Sequence, residues 1–207
     1  MEYKKGTTTV GLVCKDGIVL AADKRGSLGH LAMHKKVDKI LKVTDFIGIT
    51  TAGMVGDAQK LYDYLKAELQ LYLLEREEDP AVEVASKLLS NILYEGRKSF
   101  LPYLSMFLLG GKSEDGGFKV FSLDSGGSSI LDKYVCSGSG MELAYGVLDS
   151  GYKEGLSVSE GKVLAAKAIN SALRRDVFSG DGIDVVVIDN KGYQKIKEGE
   201  ISKLLGK

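Results

Sequence analysis

Hydrophobic periodicity along this chain switches between two residues and three to four in a fixed order, and that order limits the fold more than any other feature. Thr7 to Cys14 is a strand-like run with several β-branched residues, and Lys15-Asp16-Gly17 turns it back into Ile18 to Ala22, which ends at Asp23. Asp-Gly accepts positive φ at little cost, so the pair reads as a hairpin. Ile40 to Val43 and Phe46 to Ala52 form a second hairpin about Thr44-Asp45, broken by Gly53. The period then lengthens. Between Val55 and Arg76, Leu61, Leu65, Leu69, Tyr72 and Leu73 recur at helical spacing. Asp79-Pro80 supplies an N-cap and a first-turn proline for a second helix through Val84, Leu88, Leu89, Ile92 and Leu93 to about Lys98.

Strands resume at Met106 to Leu109, Lys119 to Leu123 and Ser129 to Cys136, with turns at Ser113 to Gly117 and Asp124 to Gly127. Ser137-Gly138-Ser139-Gly140 leads into a helix carrying Leu143, Ala144, Val147 and Leu148. Ser157-Val158-Ser159-Glu160 is a capping box for a helix ending near Arg175. After a loop from Asp176 to Gly182, Ile183 to Ile188 and Tyr193 to Ile196 pair about Asn190-Lys191-Gly192, and a short helix follows around Ile201 to Leu205. Helices in pairs and strands in hairpins argue against a parallel βαβ sheet. Two antiparallel sheets packed face to face, with helices on both outer faces, accommodate the order. The predicted class is α+β, a four-layer αββα sandwich.

At 207 residues the chain is long enough to bury about 70% of its unfolded surface, which suits one domain without staples. Lys plus Arg and Asp plus Glu are 28 each, so no net charge marks a nucleic-acid or anionic-membrane partner. Cys14 and Cys136 lack metal-ligand spacing and read as buried small hydrophobes in a reducing compartment. No apolar run reaches the roughly 20 residues of a membrane span. Met1 to Gly6 is too short and polar for a signal peptide, so a cytoplasmic chain is expected.

The chemistry has few starting points. His30 and His34 have no acidic partner pattern and read as surface loop residues. With two histidines and no Gly-x-Ser-x-Gly elbow, a Ser-His-Asp hydrolase is poorly supported. Gly110-Gly111 and Gly126-Gly127 lack the lysine and spacing of a phosphate-cradling loop and read as turns. The run Gly6-Thr7-Thr8-Thr9-Val10-Gly11 is different. Threonine becomes a useful nucleophile when it is N-terminal, because its own α-amine takes the hydroxyl proton. That amine titrates near 7.7 to 8, and a neighbouring lysine ammonium lowers it further. Taken alone, the threonine run is simply the start of a strand.

It is accompanied by Ala21-Ala22-Asp23-Lys24-Arg25-Gly26-Ser27-Leu28-Gly29, Lys39-Ile40, Thr51-Ala52-Gly53-Met54-Val55-Gly56-Asp57 and Leu88-Leu89-Ser90-Asn91-Ile92-Leu93. Gly138-Ser139-Gly140, Ala144-Tyr145-Gly146-Val147-Leu148 and Arg175-Asp176-Val177-Phe178-Ser179-Gly180-Asp181-Gly182 follow. In this order and spacing, from Gly6 to about Gly192, the chain resembles the β-subunits of the 20S proteasome, the archaeal type in particular. The resemblance implies the N-terminal nucleophile hydrolase form of the αββα sandwich, with residues 1–6 as a short propeptide and 7–207 as one peptidase domain. It implies a threonine endopeptidase that degrades unfolded proteins, needs no cofactor or metal, and cuts itself between Gly6 and Thr7.

By position, the resemblance makes Thr7 the nucleophile and Lys39 the partner that depresses its amine, with Asp23 holding Lys39 as a cation. Without it, Asp23 is a strand-end carboxylate and Lys39 a solvated lysine. Ser139, Asp176 and Ser179 become the group supporting the Thr7 amine, rather than a turn and loop caps. Gly53 becomes the oxyanion donor, and Ser27 and Gly53 pair with a substrate backbone. Gly26, Val37, Leu41, Thr51 and Val55 surround the first specificity pocket, which is expected to prefer apolar side chains because no acid or base stands among them. Many members carry alanine in place of Gly26, so this pocket is expected to be wider. The implied partners are proteasome α-subunits, copies of the chain in heptameric rings of a 28-subunit core, an AAA ATPase regulator and unfolded substrates, with neither nucleic acid nor membrane. An inactive ring subunit, an α-type subunit and the bacterial two-ring threonine protease are the alternatives. Against them stand the complete set of site residues, the lack of an α-type helical extension, and an Arg-Asp-x-x-Ser-Gly loop the bacterial family does not usually carry in this form.

Overall fold

A computed structural model of the chain describes residues 6–206; most of the expected propeptide, Met1 to Lys5, lies outside the described residues. The chain runs through β1 (Thr9–Cys14), β2 (Gly17–Asp23), β3 (Gly26–Leu28), β4 (Leu31–His34), β5 (Ile40–Lys42) and β6 (Ile47–Gly53). The helices α1 (Val55–Arg76) and α2 (Val82–Gly96) follow, then β7 (Ser105–Lys112), β8 (Phe118–Leu123), β9 (Ser129–Asp132) and β10 (Tyr134–Ser137). The last part is α3 (Met141–Gly151), α4 (Val158–Leu173), β11 (Ile183–Asp189), β12 (Gly192–Lys195) and α5 (Glu198–Leu204). Two antiparallel five-stranded sheets result, ordered β10-β1-β2-β11-β12 and β5-β6-β7-β8-β9, beside a two-stranded β3-β4 sheet.

Side-chain alternation separates the layers. In β2, Ile18, Leu20 and Ala22 point between the sheets and meet Leu108, Val120, Val186 and Ile188. Val19 and Ala21, on the other face, pack with Ala165, Ala168 and Ile169 of α4. On the second sheet, Ile47, Ile49, Phe107 and Leu109 meet Leu61, Leu65 and Leu69 of α1 and Ala85, Leu89 and Leu93 of α2. Three apolar seams therefore bind four layers in the order helices, sheet, sheet, helices. That is the αββα sandwich. Each fully buried aliphatic side chain contributes about 1.5–3 kcal/mol to these seams. The Ser157–Glu160 capping box forms in full at the start of α4. Among the described residues no helix is long and apolar enough to cross a membrane.

Three local expectations are corrected, and one hairpin is new. The strand read from Ser129 to Cys136 is two strands: β9 pairs with β8 in one sheet, and β10 pairs with β1 in the other. β9 is exposed at a sheet edge while β10 is mostly buried, and with no turn residue between them the sequence hid a crossing between sheets. Helix α2 starts at Val82 with Ala81 as an N-cap that makes no side-chain bond, not at Asp79-Pro80. Pro80 and Val82 are buried, and packing sets that first turn. The β3-β4 hairpin falls where the sequence shows no period. Finally, Thr7 and Thr8 precede the β1 ladder, whose first residue is Thr9.

The topology collects strand ends at one edge of the sandwich. Thr9 opens β1 opposite both Ala22 and Ser137, and Ile183 opens β11 opposite Asp23. Lys39 immediately precedes β5, and Gly53 ends β6.

Candidate active site

Asp23 ends β2 and is completely buried. A carboxylate out of water must have its charge met by donors. One oxygen, Oδ1, accepts the Thr7 hydroxyl at 3.0 Å, the Thr8 backbone N–H at 3.0 Å and the Lys39 ammonium at 2.6 Å. The other, Oδ2, accepts the backbone N–H groups of Arg25 at 3.0 Å and Gly180 at 2.9 Å. Lys39 is 5% exposed and Thr7 is 4% exposed. Burial pulls the Lys39 ammonium below the ordinary lysine range, against the attraction of Asp23 and Asp176.

Asp176 organises a second network on the other side of Thr7. Its Oδ2 accepts the hydroxyls of Ser139 and Ser179, each at 2.6 Å. Each serine has one proton, so each then accepts from a threonine. Ser139 Oγ receives the Thr7 N–H at 3.2 Å, and Ser179 Oγ receives the Thr8 hydroxyl at 2.7 Å. Gly138, at φ +92°, lets the chain leaving β10 press on Thr7: a Cβ there would stand 2.2 Å from the Thr7 carbonyl oxygen. Gly53 has φ +106°, and a Cβ on it would stand 2.3 Å from the Leu104 carbonyl oxygen. Glycine at both positions is thus a requirement of backbone geometry.

A cavity of about 330 Å³ opens beside Thr7. Lys39, Gly53, Gly26, Ser27, Val37, Leu41, Thr51 and Val55 all line it, so the residues expected to meet a substrate gather beside Thr7 and Lys39. The sequence reading missed Leu28, Met33, His34, Ala58 and Gln59 in the same wall. Met33 and His34 come from the hairpin that periodicity did not reveal, so His34 is a cavity-wall residue of β4 rather than a loop residue. Arg25 and Asp38 also line the cavity, which corrects the picture of a wall without charge. Both are engaged: Arg25 donates to Asp181 at 2.8 Å and to the Val177 carbonyl at 3.0 Å, and Asp38 accepts from Lys195 at 2.6 Å.

Comparison with known proteins decides the family. The family model described as proteasome subunit matches residues 3–188. This chain belongs to the proteasome family. It is 48% identical to proteasome subunit beta 1 of Thermococcus sibiricus over 207 residues, covering all of this chain and 98% of that one. It is 49% identical to proteasome subunit beta 2 of Pyrococcus furiosus over 204 residues, covering 99% and 97%. It is 46% identical to proteasome subunit beta of Methanothermobacter thermautotrophicus over 200 residues, covering 96% and 94%. The relatives are β-type throughout their length, and so is this proteasome chain.

Proposed function

We propose that this chain is a catalytic proteasome subunit, a threonine endopeptidase with Thr7 as its nucleophile. The observation that carries the reading is the shared oxygen: Asp23 Oδ1 holds the Thr7 hydroxyl and the Lys39 ammonium together, beside a largely apolar cavity. An inactive ring subunit would have no use for a buried ion pair aimed at a threonine hydroxyl.

In the uncut chain Thr7 N is an amide and cannot act as a base. Asp23 and Lys39 are the charged groups at the hydroxyl, and they ease loss of its proton. The Thr7 oxygen then bonds to the Gly6 carbonyl carbon, the Gly6–Thr7 C–N bond breaks, and the proton ends on the Thr7 nitrogen. Water hydrolyses the resulting ester, releasing a Gly6 carboxylate and restoring the hydroxyl. Thr7 now carries a free amine, held by Ser139 with Asp176 and Ser179 behind it. That amine takes the hydroxyl proton in each later turnover, and the Lys39 charge keeps it unprotonated near neutral pH. The Gly53 N–H meets the oxyanion. Ser27 and Gly53 hold the peptide as an added strand, and the cavity receives an apolar side chain.

Weak pocket selectivity needs confinement. The chain therefore forms heptameric rings that stack on rings of α-subunits in a 28-subunit core, fed with unfolded proteins by an AAA ATPase in the cytoplasm. The cores of the ring contacts are apolar and their rims polar. Thr7→Ala tests the reading. Assembled with α-subunits, the variant is expected to lose hydrolysis of an apolar fluorogenic peptide while still folding and assembling. Near-wild-type turnover would remove Thr7 from the chemistry.

A further inference from the structure

Residue 6 lies in a slot between the loop that follows α4 and the turn that follows β10. A Cβ built on Gly6 would fall 2.0 Å from Phe178 Cβ, 2.6 Å from Phe178 Cγ and 2.5 Å from Ser139 Oγ. Such approaches are far inside van der Waals contact, and the nearest is to an atom fixed by the backbone. That backbone is tied on both sides. The Phe178 N–H donates to Asp176 Oδ1 at 3.2 Å, and its carbonyl accepts the Ser27 hydroxyl at 2.9 Å. Ser139 is held by its bond to Asp176. Neither wall of the slot can yield cheaply.

We propose that Phe178 is a positioning residue for self-cleavage: its side chain seats Gly6 against Thr7 and, with Ser139, restricts residue 6 to glycine. The inference rests on the reading that Thr7 cuts the Gly6–Thr7 bond. It differs from that reading in what it says of the finished enzyme. Once the bond is cut residue 6 is gone, so the aromatic ring has nothing left to seat. Asp176, Ser179 and Ser139 serve both stages, whereas Phe178 serves only the first. Truncating the ring leaves both backbone hydrogen bonds of residue 178 in place, so Phe178→Ala separates the stages.

The experiment follows loss of Met1 to Gly6 by intact mass after mixing precursor with α-subunits. The wild-type precursor is the control: if it is never cut at Gly6–Thr7, the underlying reading fails before Phe178 is at issue. Given cutting, Phe178→Ala is expected to process at least about tenfold more slowly. The same substitution in a chain released from a fusion so that it begins at Thr7 is expected to turn over an apolar peptide within twofold of wild type. Gly6→Ala is expected to block processing, and cutting of that variant at the wild-type rate would overturn the restriction of residue 6 to glycine. Wild-type processing by Phe178→Ala would overturn the proposal. So would a parallel loss of turnover in the chain that begins at Thr7, because that would mark a structural role. If Phe178→Ala does not assemble, Phe178→Leu carries the same two measurements, with the same outcomes for and against.

Discussion

Two lysine–carboxylate clusters, each with a hydroxyl donor, lie apart in this molecule, and they differ in what they face. At the edge of the sandwich, Lys39 and Asp23 have side chains 6% and 0% exposed. On the outer side of the second sheet, Lys119 bonds Glu83 at 2.8 Å and Asp115 at 2.9 Å, and Glu83 also accepts the Ser113 hydroxyl. There the Lys119 and Glu83 side chains are 30% and 25% exposed. The residue types match; the surroundings do not. The inner pair meets a threonine hydroxyl and a cavity, while the outer one ties the first turn of α2 to the β7–β8 turn. Water screens the outer charges, so they contribute to stability modestly. Burial makes the inner pair costly to assemble and strong in its field at the one hydroxyl it faces.

The largest test of this contrast is activity. Lys39→Ala is expected to lower peptide turnover by about 10²–10⁴-fold and to stop removal of Met1 to Gly6. Lys119→Ala is expected to leave both within twofold. Equal losses would show that the inner pair is structural. Stability comes next. Removing Lys39 leaves Asp23 buried without its cation, at a cost of about 3 kcal/mol, whereas Lys119→Ala costs less because water already screens its partners. Urea unfolding of the two variants measures the difference, and the reverse ranking would contradict the burial argument.

The cavity sharpens the contrast further. A Cβ on Gly26 would stand 2.9 Å from Val37 Cγ2, so Gly26→Ala narrows the pocket. Hydrophobic pockets discriminate by about 1–3 kcal/mol per methylene. The variant is expected to lose about tenfold in kcat/KM for a leucine or tyrosine peptide relative to an alanine one. An unchanged ratio would place substrate side chains elsewhere. The smallest effect is on pH. Burial pushes the Glu83 carboxyl up, but hydrogen bonds from Lys119 and Ser113 outweigh it and hold the group below its usual range. Hydrogen bonds from Lys119 and the Gly117 N–H hold Asp115 down at about 2. Depressed carboxylates stabilise the fold above their unfolded values, near 4, and lose that contribution as pH falls towards 2. The melting temperature of wild type should therefore fall more steeply from pH 4 to 2 than that of Lys119→Ala. Parallel curves would show that the outer cluster contributes nothing.

Much of the fold was legible because the long elements carry their own period. Helix α1 spans Val55–Arg76 as its leucine spacing predicts, and the capping box marks the start of α4. What failed was short or divided. The β3-β4 hairpin has too few residues for a period, and no local signal says that the chain changes sheets near Lys133. The site was less legible by physics alone. Asp23 and Lys39 are distant from Asp176 and Ser179 in sequence, and only two sheets ending at the same edge bring them to Thr7. Family resemblance supplied that set before the structure did. It did not supply Phe178, Met33 or His34, because a wall residue is recognised by what it touches.

The central claim is that Thr7 works through its own free amine. The direct measurement is N-terminal sequencing with intact mass of this chain, taken from an assembly with α-subunits whose peptide hydrolysis has been recorded on the same sample. The account predicts that every active assembly contains chain beginning at Thr7, and that activity rises in proportion to that fraction. An assembly at full activity whose chain still carries Gly6 would contradict it, because the Thr7 nitrogen would then be an amide with no basic lone pair to take the hydroxyl proton.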